Sequence, residues 1–192
     1  MSKLSDWITI YENAIPEVFC DECMNLFNIP SIVKGSYSEY WRRYQEFPSI
    51  DQTPLWDTLK EIIKTNYEKY KKERGSSVLN FSNTIEAPNM LRYVVNPETP
   101  NIFNLHADNW NIPTATRQVS IILYLNDVNE GGCTFFPDLN IRIRPKKGQI
   151  LFFPSFFNYM HMGEAPLSNS KYIIVSWVHF DGQGHAYRVH KI

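Results

Sequence analysis

The sequence predicts an α+β, mainly β fold in which a jelly-roll core follows a helical N-terminal support. Three observations predict it. Helical spacing of apolar residues is confined to the first 75 positions. From Ser76 onward, eight short β-type segments follow one another with turn residues between them, and jelly rolls have eight strands. Aromatic residues, which favour strands and pocket walls, make up 15 % of the chain. A chain of 192 residues is one domain in size. The expectation is therefore a single domain over 1–192, with 1–75 as helical support, 76–180 as the jelly-roll core and 181–192 as a polar tail.

Two helices account for the first part. Pro16 suits a first turn, and Phe19, Cys20, Cys23, Met24 and Phe27 recur at helical spacing before Pro30 closes the element. In the second, Thr53 can cap, Pro54 fits the first turn, and Leu55, Leu59, Ile62, Ile63, Asn66 and Tyr70 mark one face. Lys69, Lys71, Lys72 and Arg74 crowd the last turn, where cations suit the helix dipole, and Gly75 ends it. Glu68 and Glu73 are mixed in, so this is a solvated helix end rather than a basic patch. Between the helices, Tyr37 to Tyr44 is dense in aromatics and arginine. It reads equally as a substrate-gripping loop and as an early strand packed on the helices.

The β segments are Met90–Val95, Ile102–Asp108, Gln118–Leu125, Cys133–Phe136, Ile141–Arg144, Gln149–Phe153, Tyr159–Gly163 and Lys171–Phe180. Asn96-Pro97, Pro113, Glu130-Gly131-Gly132, Pro137-Asp138, Lys147-Gly148 and Ser168-Asn169-Ser170 punctuate them. Opposite charges nearly cancel, 19 Lys and Arg against 20 Asp and Glu, which gives no general attraction to nucleic acid or an anionic membrane. Neither is expected as a partner. Three widely spaced cysteines are an odd count and make no disulfide framework, so a reducing compartment is expected. The first residues carry no apolar signal segment, and no run approaches the roughly 18 apolar residues of a membrane span. A soluble, cytoplasmic protein is the expectation.

Five histidines are candidates for chemistry: His106, His161, His179, His185 and His190. The last two lie in the polar tail, where a surface role is the default. Leu105-His106-Ala107-Asp108 is more informative. In a strand, side chains two apart share a face, so His106 and Asp108 project together. An imidazole beside a carboxylate can hold a divalent metal. A second imidazole completes a facial site that leaves coordination positions open, which suits non-haem Fe(II). A lone His-x-Asp arises often by chance, so its surroundings decide.

Those surroundings are Arg117-Gln-Val-Ser-Ile-Ile-Leu-Tyr-Leu-Asn126, Asp127-Val-Asn-Glu-Gly-Gly-Cys-Thr-Phe-Phe-Pro137, Lys147-Gly-Gln-Ile-Leu-Phe-Phe-Pro154, Met160-His161-Met-Gly-Glu-Ala-Pro166 and Ser170-Lys171-Tyr-Ile-Ile-Val-Ser-Trp177. From about Met90 to Phe180 the chain resembles the Fe(II)- and 2-oxoglutarate-dependent dioxygenases, and within them the prolyl-4-hydroxylase-like group. The resemblance implies a double-stranded β-helix, the jelly-roll variant of that family. It implies His106, Asp108 and His161 as iron ligands, and Lys171, ten positions beyond His161, as the partner of the C5 carboxylate of 2-oxoglutarate. The alternation of Lys171, Ile173, Val175 and Trp177 agrees, since a cation pointing inward among apolar neighbours needs an anionic partner.

Tyr124 matches a tyrosine that helps bind the same carboxylate, and reads equally as packing between strands. Ile122 shares its face and can line the pocket. Tyr93 is a further candidate hydroxyl donor, although the stretch to His106 is longer than usual around Asn96-Pro-Glu-Thr-Pro100. Trp177 fits a pocket wall. Cys133 stands where the family often has glutamate, and reads as a small buried filler. Cys20-Asp-Glu-Cys23 reads as part of a packed helix face.

The implied activity is hydroxylation of an unactivated C–H, foremost a prolyl residue in a peptide or protein, with release of succinate and CO2. Fe(II), 2-oxoglutarate as cosubstrate, O2 and ascorbate as reductant are the implied cofactors. A free amino acid or another side chain is the alternative substrate. A non-catalytic cupin- or lectin-like jelly roll, with a structural Zn(II) on the same residues, is the alternative of another class.

Overall fold

The computed structural model describes residues 3–29, 34–39, 42–47, 50–75, 82–180 and 187–192. Two α-helices, α1 (Glu17–Asn25) and α2 (Trp56–Arg74), lie in the N-terminal part. The strands are β1 (Thr9–Tyr11), β2 (Lys34–Glu39), β3 (Arg42–Phe47), β4 (Thr84–Glu86), β5 (Asn89–Tyr93), β6 (Phe103–His106), β7 (Arg117–Tyr124), β8 (Thr134–Phe136), β9 (Ile141–Ile143), β10 (Gln149–Pro154), β11 (His161–Gly163), β12 (Lys171–His179) and β13 (Val189–Lys191). They pair antiparallel in the order β1-β10-β7-β12-β5-β3-β6-β11-β8-β9, with β2 beside β3, β4 beside β12 and β13 beside β4.

This path folds back on itself. Phe153 of β10 meets Phe136 of β8 with ring centroids 5.0 Å apart, and His161 of β11 at 4.7 Å. One half, β1-β10-β7-β12-β5, therefore faces the other, β6-β11-β8-β9, with β3 bridging them. This is the expected jelly-roll arrangement, a mostly antiparallel sheet curled around an interior.

Period-two alternation decides which side chains enter that interior. Along β7, Val119, Ile121 and Leu123 point outward to a core shared with Phe19, Cys20 and Cys23 of α1 and Leu59, Ile63, Tyr67 and Tyr70 of α2. Ile122 and Tyr124 point the other way, into a second cluster with Leu91, Tyr93, Phe136, Leu151, Phe153, Ile173 and Val175. The helices thus stiffen the back of one sheet half and leave its front free for chemistry.

All eight expected β segments form strands, with small boundary changes. The segment expected from Tyr159 begins at His161, after a 3-10 turn over Phe157–Tyr159. α2 starts at Trp56, and Thr53 acts just ahead of it, its hydroxyl accepting from the Leu55 N–H at 3.3 Å. Gly75 caps α2 at φ 74°, a left-handed conformation that favours glycine. α1 passes into a 3-10 turn over Leu26–Asn28; Pro30 lies outside the described residues.

The division into a helical 1–75 and a β remainder needs correction. β1, β2 and β3 lie in the first part and join the sheet. The Tyr37–Tyr44 segment is a β-hairpin whose register sets Tyr37 opposite Tyr44; Tyr40 and Trp41 lie outside the described residues. The polar tail also contributes, because β13 pairs with β4.

Ile63 is fully buried between α2 and the sheet. Ile63→Ala is expected to destabilise the chain by about 2–5 kcal/mol, read as a lower urea midpoint. Val18→Ala, on the exposed side of α1 at 70 % exposure, is expected to stay within about 0.5 kcal/mol.

Candidate active site

The antiparallel pairing of β6 and β11 sets His106 directly opposite His161. Their ring centroids lie 4.3 Å apart. Phe103 stacks on His106 at 3.8 Å, and Phe153 meets His161 edge-on, so aromatic neighbours hold both rings. β6 ends at His106, and Asp108 sits in the turn that follows. The shared-face argument for His106 and Asp108 therefore needs correction, because the turn, not a continuing strand, swings the carboxylate back. Arg117 donates to the Asp108 carbonyl at 3.3 Å, and the Asn109 N–H donates to the Ser155 carbonyl at 3.2 Å, which fixes that turn. Asp108 Oδ1 lies 3.4 Å from His106 Nε2 and Oδ2 lies 3.8 Å from His161 Nε2. All three groups offer ligand atoms within 4.8 Å of one another.

Protonation suits this geometry to a metal. His106 Nδ1 is 2.7 Å from the Asn104 carbonyl and His161 Nδ1 is 3.1 Å from the Tyr159 carbonyl. A carbonyl only accepts, so each Nδ1 carries a proton and each Nε2 is the nitrogen turned to the centre. Burial, with His106 alongside, pushes the His161 imidazole down to about 4, so it is neutral at pH 7. Burial alone raises the Asp108 carboxyl, but the neighbouring His161, His106 and Arg117 outweigh it and hold it well below the usual carboxylate range. Two imidazole nitrogens and one carboxylate oxygen fit Fe(II).

These residues open onto a cavity of about 360 Å³. Lys171 lines it while only 1 % exposed. Its ammonium donates to the Gly132 carbonyl at 3.0 Å and sits 4.4 Å from the Tyr93 ring centroid. Burial lowers it to about 8. Among the described residues no carboxylate lies within ion-pair distance of it. The turn that presents the Gly132 carbonyl needs glycine just before it, because Gly131 has φ 67° and a Cβ there would meet the Ala165 carbonyl at 2.3 Å.

Ile122, Tyr93 and Trp177 also line the cavity. Tyr124 does not. It is fully buried behind the wall, its hydroxyl 2.7 Å from Thr134 Oγ1, and Thr134 is the residue that reaches the cavity. Thr134 lies inside the segment that carries the family resemblance, yet a threonine in a three-residue strand gives no signal of its own.

Lys171, Ile173, Val175 and Trp177 share the inner face of β12. Six residues of strand span about 20 Å, so the lysine and the tryptophan mark opposite ends of that face. At the tryptophan end Arg117 lies 3.6 Å from the Trp177 ring centroid. It forms a two-pronged ion pair with Glu86, at 2.9 and 2.7 Å. His179 joins this network through Glu86 at 3.0 Å and Thr116 at 2.7 Å, which accounts for a buried histidine away from the metal ligands. Glu86 lies on β4, whose three residues are all buried and carry no alternation to read. His190 pairs with Asp51 at 2.7 Å, and His185 lies outside the described residues. Cys20, Cys23 and Cys133 are buried free thiols, and burial raises all three, so they act as packing groups.

A curled antiparallel sheet holding two histidines and an aspartate, open on one side and backed by a buried cation, defines a three-donor site for a divalent metal. Residues 88–179 match the family model of the 2OG-Fe(II) oxygenase superfamily. The chain is 32 % identical over 77 residues to prolyl 4-hydroxylase subunit alpha-1 of Gallus gallus, which covers 36 % of this chain and 15 % of that protein. It is 29 % identical over 99 residues to probable prolyl 4-hydroxylase 11 of Arabidopsis thaliana, covering 48 % of this chain and 35 % of that one. The chain thus spans a small part of the curated relatives it matches.

Among solved structures, the viral collagen prolyl hydroxylase of Paramecium Bursaria Chlorella virus-1, in its 2OG complex, superposes with TM-score 0.68 at 20 % identity, over 90 % of this chain and 95 % of that one. The prolyl hydroxylase of Trichoplax adhaerens, in complex with a hypoxia inducible factor peptide fragment, gives 0.69 at 16 % identity, over 91 % and 84 %. Residues 88–179 thus match the 2OG-Fe(II) oxygenase superfamily, and the fold is shared with solved prolyl hydroxylases, as the sequence motifs imply.

His161→Ala leaves two donors. The expected outcome is loss of stoichiometric Mn(II) binding by calorimetry, with an unchanged far-ultraviolet circular dichroism spectrum.

Proposed function

We propose that the chain is an Fe(II)- and 2-oxoglutarate-dependent oxygenase that hydroxylates a prolyl residue in a peptide or protein. 2-Oxoglutarate, O2 and the C–H substrate would give succinate, CO2 and the alcohol, with ascorbate as an auxiliary reductant. One observation carries this reading: a three-donor metal site and a buried ammonium that has no carboxylate partner among the described residues share one cavity.

His106, Asp108 and His161 would hold the iron. When bound, iron supplies the O2 chemistry that couples oxidative decarboxylation of the cosubstrate to C–H oxygenation. The chain's own residues do the rest. Three donors on one side leave the remaining coordination positions to small molecules. Lys171 offers the charge that a distal carboxylate needs, and the Thr134 hydroxyl lies on the same cavity wall. Ile122, Ile173 and Val175 give the same cavity an apolar wall.

A peptide substrate is supported by the prolyl hydroxylase relatives and by the peptide held in the Trichoplax adhaerens structure. Aromatic groups at the cavity, Trp177 and the 64 % exposed Trp110, suit the flat face of a pyrrolidine ring. A structural zinc site is usually closed by four side chains. The described group has three, and a zinc role gives no account of Lys171. Buried, unpaired thiols agree with a reducing compartment, and we place the protein in the cytoplasm.

Anaerobic addition of Fe(II) and 2-oxoglutarate is expected to produce a visible charge-transfer band, and air then to yield succinate slowly. Proline-containing peptides are expected to accelerate succinate release and gain 16 Da. No band and no succinate would refute the oxygenase reading; succinate without any modified prolyl peptide would refute the substrate.

Lys171→Ala removes a carboxylate partner but no metal ligand, so a KM for 2-oxoglutarate raised roughly 10- to 100-fold is expected. Protonated Lys171 carries the charge, and it is lost as pH rises through about 8. The wild-type KM for 2-oxoglutarate is therefore expected to climb above that pH, and that of Lys171→Arg to climb much less. A flat wild-type profile counts against the assignment.

A further inference from the structure

Asp108 has two carboxylate oxygens, and the fold treats them differently. Ser120, on the inner face of β7, has its hydroxyl on Asp108 Oδ2. Ser155, just past β10, has its hydroxyl 2.9 Å from Ser120 Oγ. Both serines are 1 % exposed, so no bulk water competes for these bonds. Proton directions along the chain follow from chemistry alone. An ionised carboxylate only accepts, so Ser120 spends its single proton on Oδ2. Ser120 then has none for its neighbour, and Ser155 must donate to Ser120.

Ser155 is itself held from both sides. Its N–H donates to the Gln118 carbonyl at 3.0 Å, and its carbonyl accepts from the Asn109 N–H at 3.2 Å. One residue therefore anchors the end of β7, the hydroxyl chain and the turn that carries Asp108.

We propose that Ser155 and Ser120 form a directed hydroxyl relay that makes Asp108 a one-oxygen metal ligand. Resting on the metal-site reading above, the relay goes beyond it by naming two positioning residues outside the donor set. Oδ2, 3.8 Å from His161 Nε2, has a lone pair committed to Ser120, which leaves Oδ1, 3.4 Å from His106 Nε2, as the freer oxygen for a shared ion. Without the relay the carboxylate is free to turn and grip a metal through both oxygens. That would close a position the small molecules need and would misplace the remaining donor.

The test is a visible-absorption titration of the metal-free protein with Co(II) alone, for wild type, Ser120→Ala, Ser120→Thr and Ser155→Ala. Second-layer partners of metal ligands typically contribute 10- to 100-fold in affinity, so Ser120→Ala is expected to weaken Co(II) binding by roughly that factor and to shift the band. Ser120→Thr keeps the hydroxyl and is expected to restore wild-type affinity and spectrum. Ser155→Ala, which keeps the direct donor, is expected to weaken binding several-fold. Wild-type affinity and spectrum in Ser120→Ala overturn the relay, as does a Ser120→Thr no better than Ser120→Ala at equal thermal stability. Should Ser120→Ala fail to fold, unchanged binding by Ser155→Ala overturns it. Co(II) binding by wild type without any hydroxylated peptide would refute the proposed activity and leave the relay standing.

Discussion

A carboxylate held ionised in a dry interior is the constraint on which the rest of the site depends. Asp108 is 7 % exposed, and a buried anion is tolerable only with compensating partners close by. The fold brings the surrounding groups, hydrogen-bond donors and metal-facing nitrogens alike, from four directions. β6 and β11 deliver His106 and His161, β7 delivers Ser120 and the Arg117 guanidinium, and Ser155 comes from the end of β10. None of these strands is a sequence neighbour of all the others. Only a sheet curled back on itself can gather them, which is why the chemistry requires this topology rather than a flat sheet.

The same curling divides labour between two apolar clusters. The outer one, backed by α1 and α2, consists of large side chains with no chemistry to do. The inner one mixes aromatic and aliphatic walls with the polar groups that face the cavity. Because β7, β10 and β12 alternate between them, each strand contributes both to stability and to the site. Substitutions on the outward positions act through packing, and those one residue away act through the site.

How much of this the sequence disclosed depended on strand length and on residue type. β7, β10 and β12 are six to nine residues long and almost wholly buried, so their apolar character is unmistakable. β1, β4 and β13 are three residues each, too short for any periodicity to rise above chance. β3 buries Tyr44 and Phe47 at a spacing of three, a helical spacing rather than the alternation of a strand. At the site, His106, Asp108, His161 and Lys171 stand out because such groups are rare in apolar strands. Ser120, Thr134 and Ser155 do not, since a serine or threonine in a strand is ordinary. Only their neighbours in space, contributed by distant segments, reveal what their hydroxyls touch.

Lys171 shows how function and stability oppose each other in this cavity. Its pKa, lowered from 10.5 to about 8, means that the folded state disfavours the ammonium by on the order of 3 kcal/mol relative to the unfolded chain. The sign follows from linkage. The penalty is present in full below pH 8 and fades as pH rises from there towards 10.5, where both states lose the proton. At neutral pH the chain therefore tolerates a destabilising charge that Gly132 and the Tyr93 ring relieve only in part. A carboxylate bound beside it, as proposed for 2-oxoglutarate, would restore what burial took away. A lysine already desolvated and already aimed has little reorganisation left to undergo, so more of the ion-pair energy appears as binding. A surface lysine of the same charge would cost the fold nothing and would bind the anion weakly.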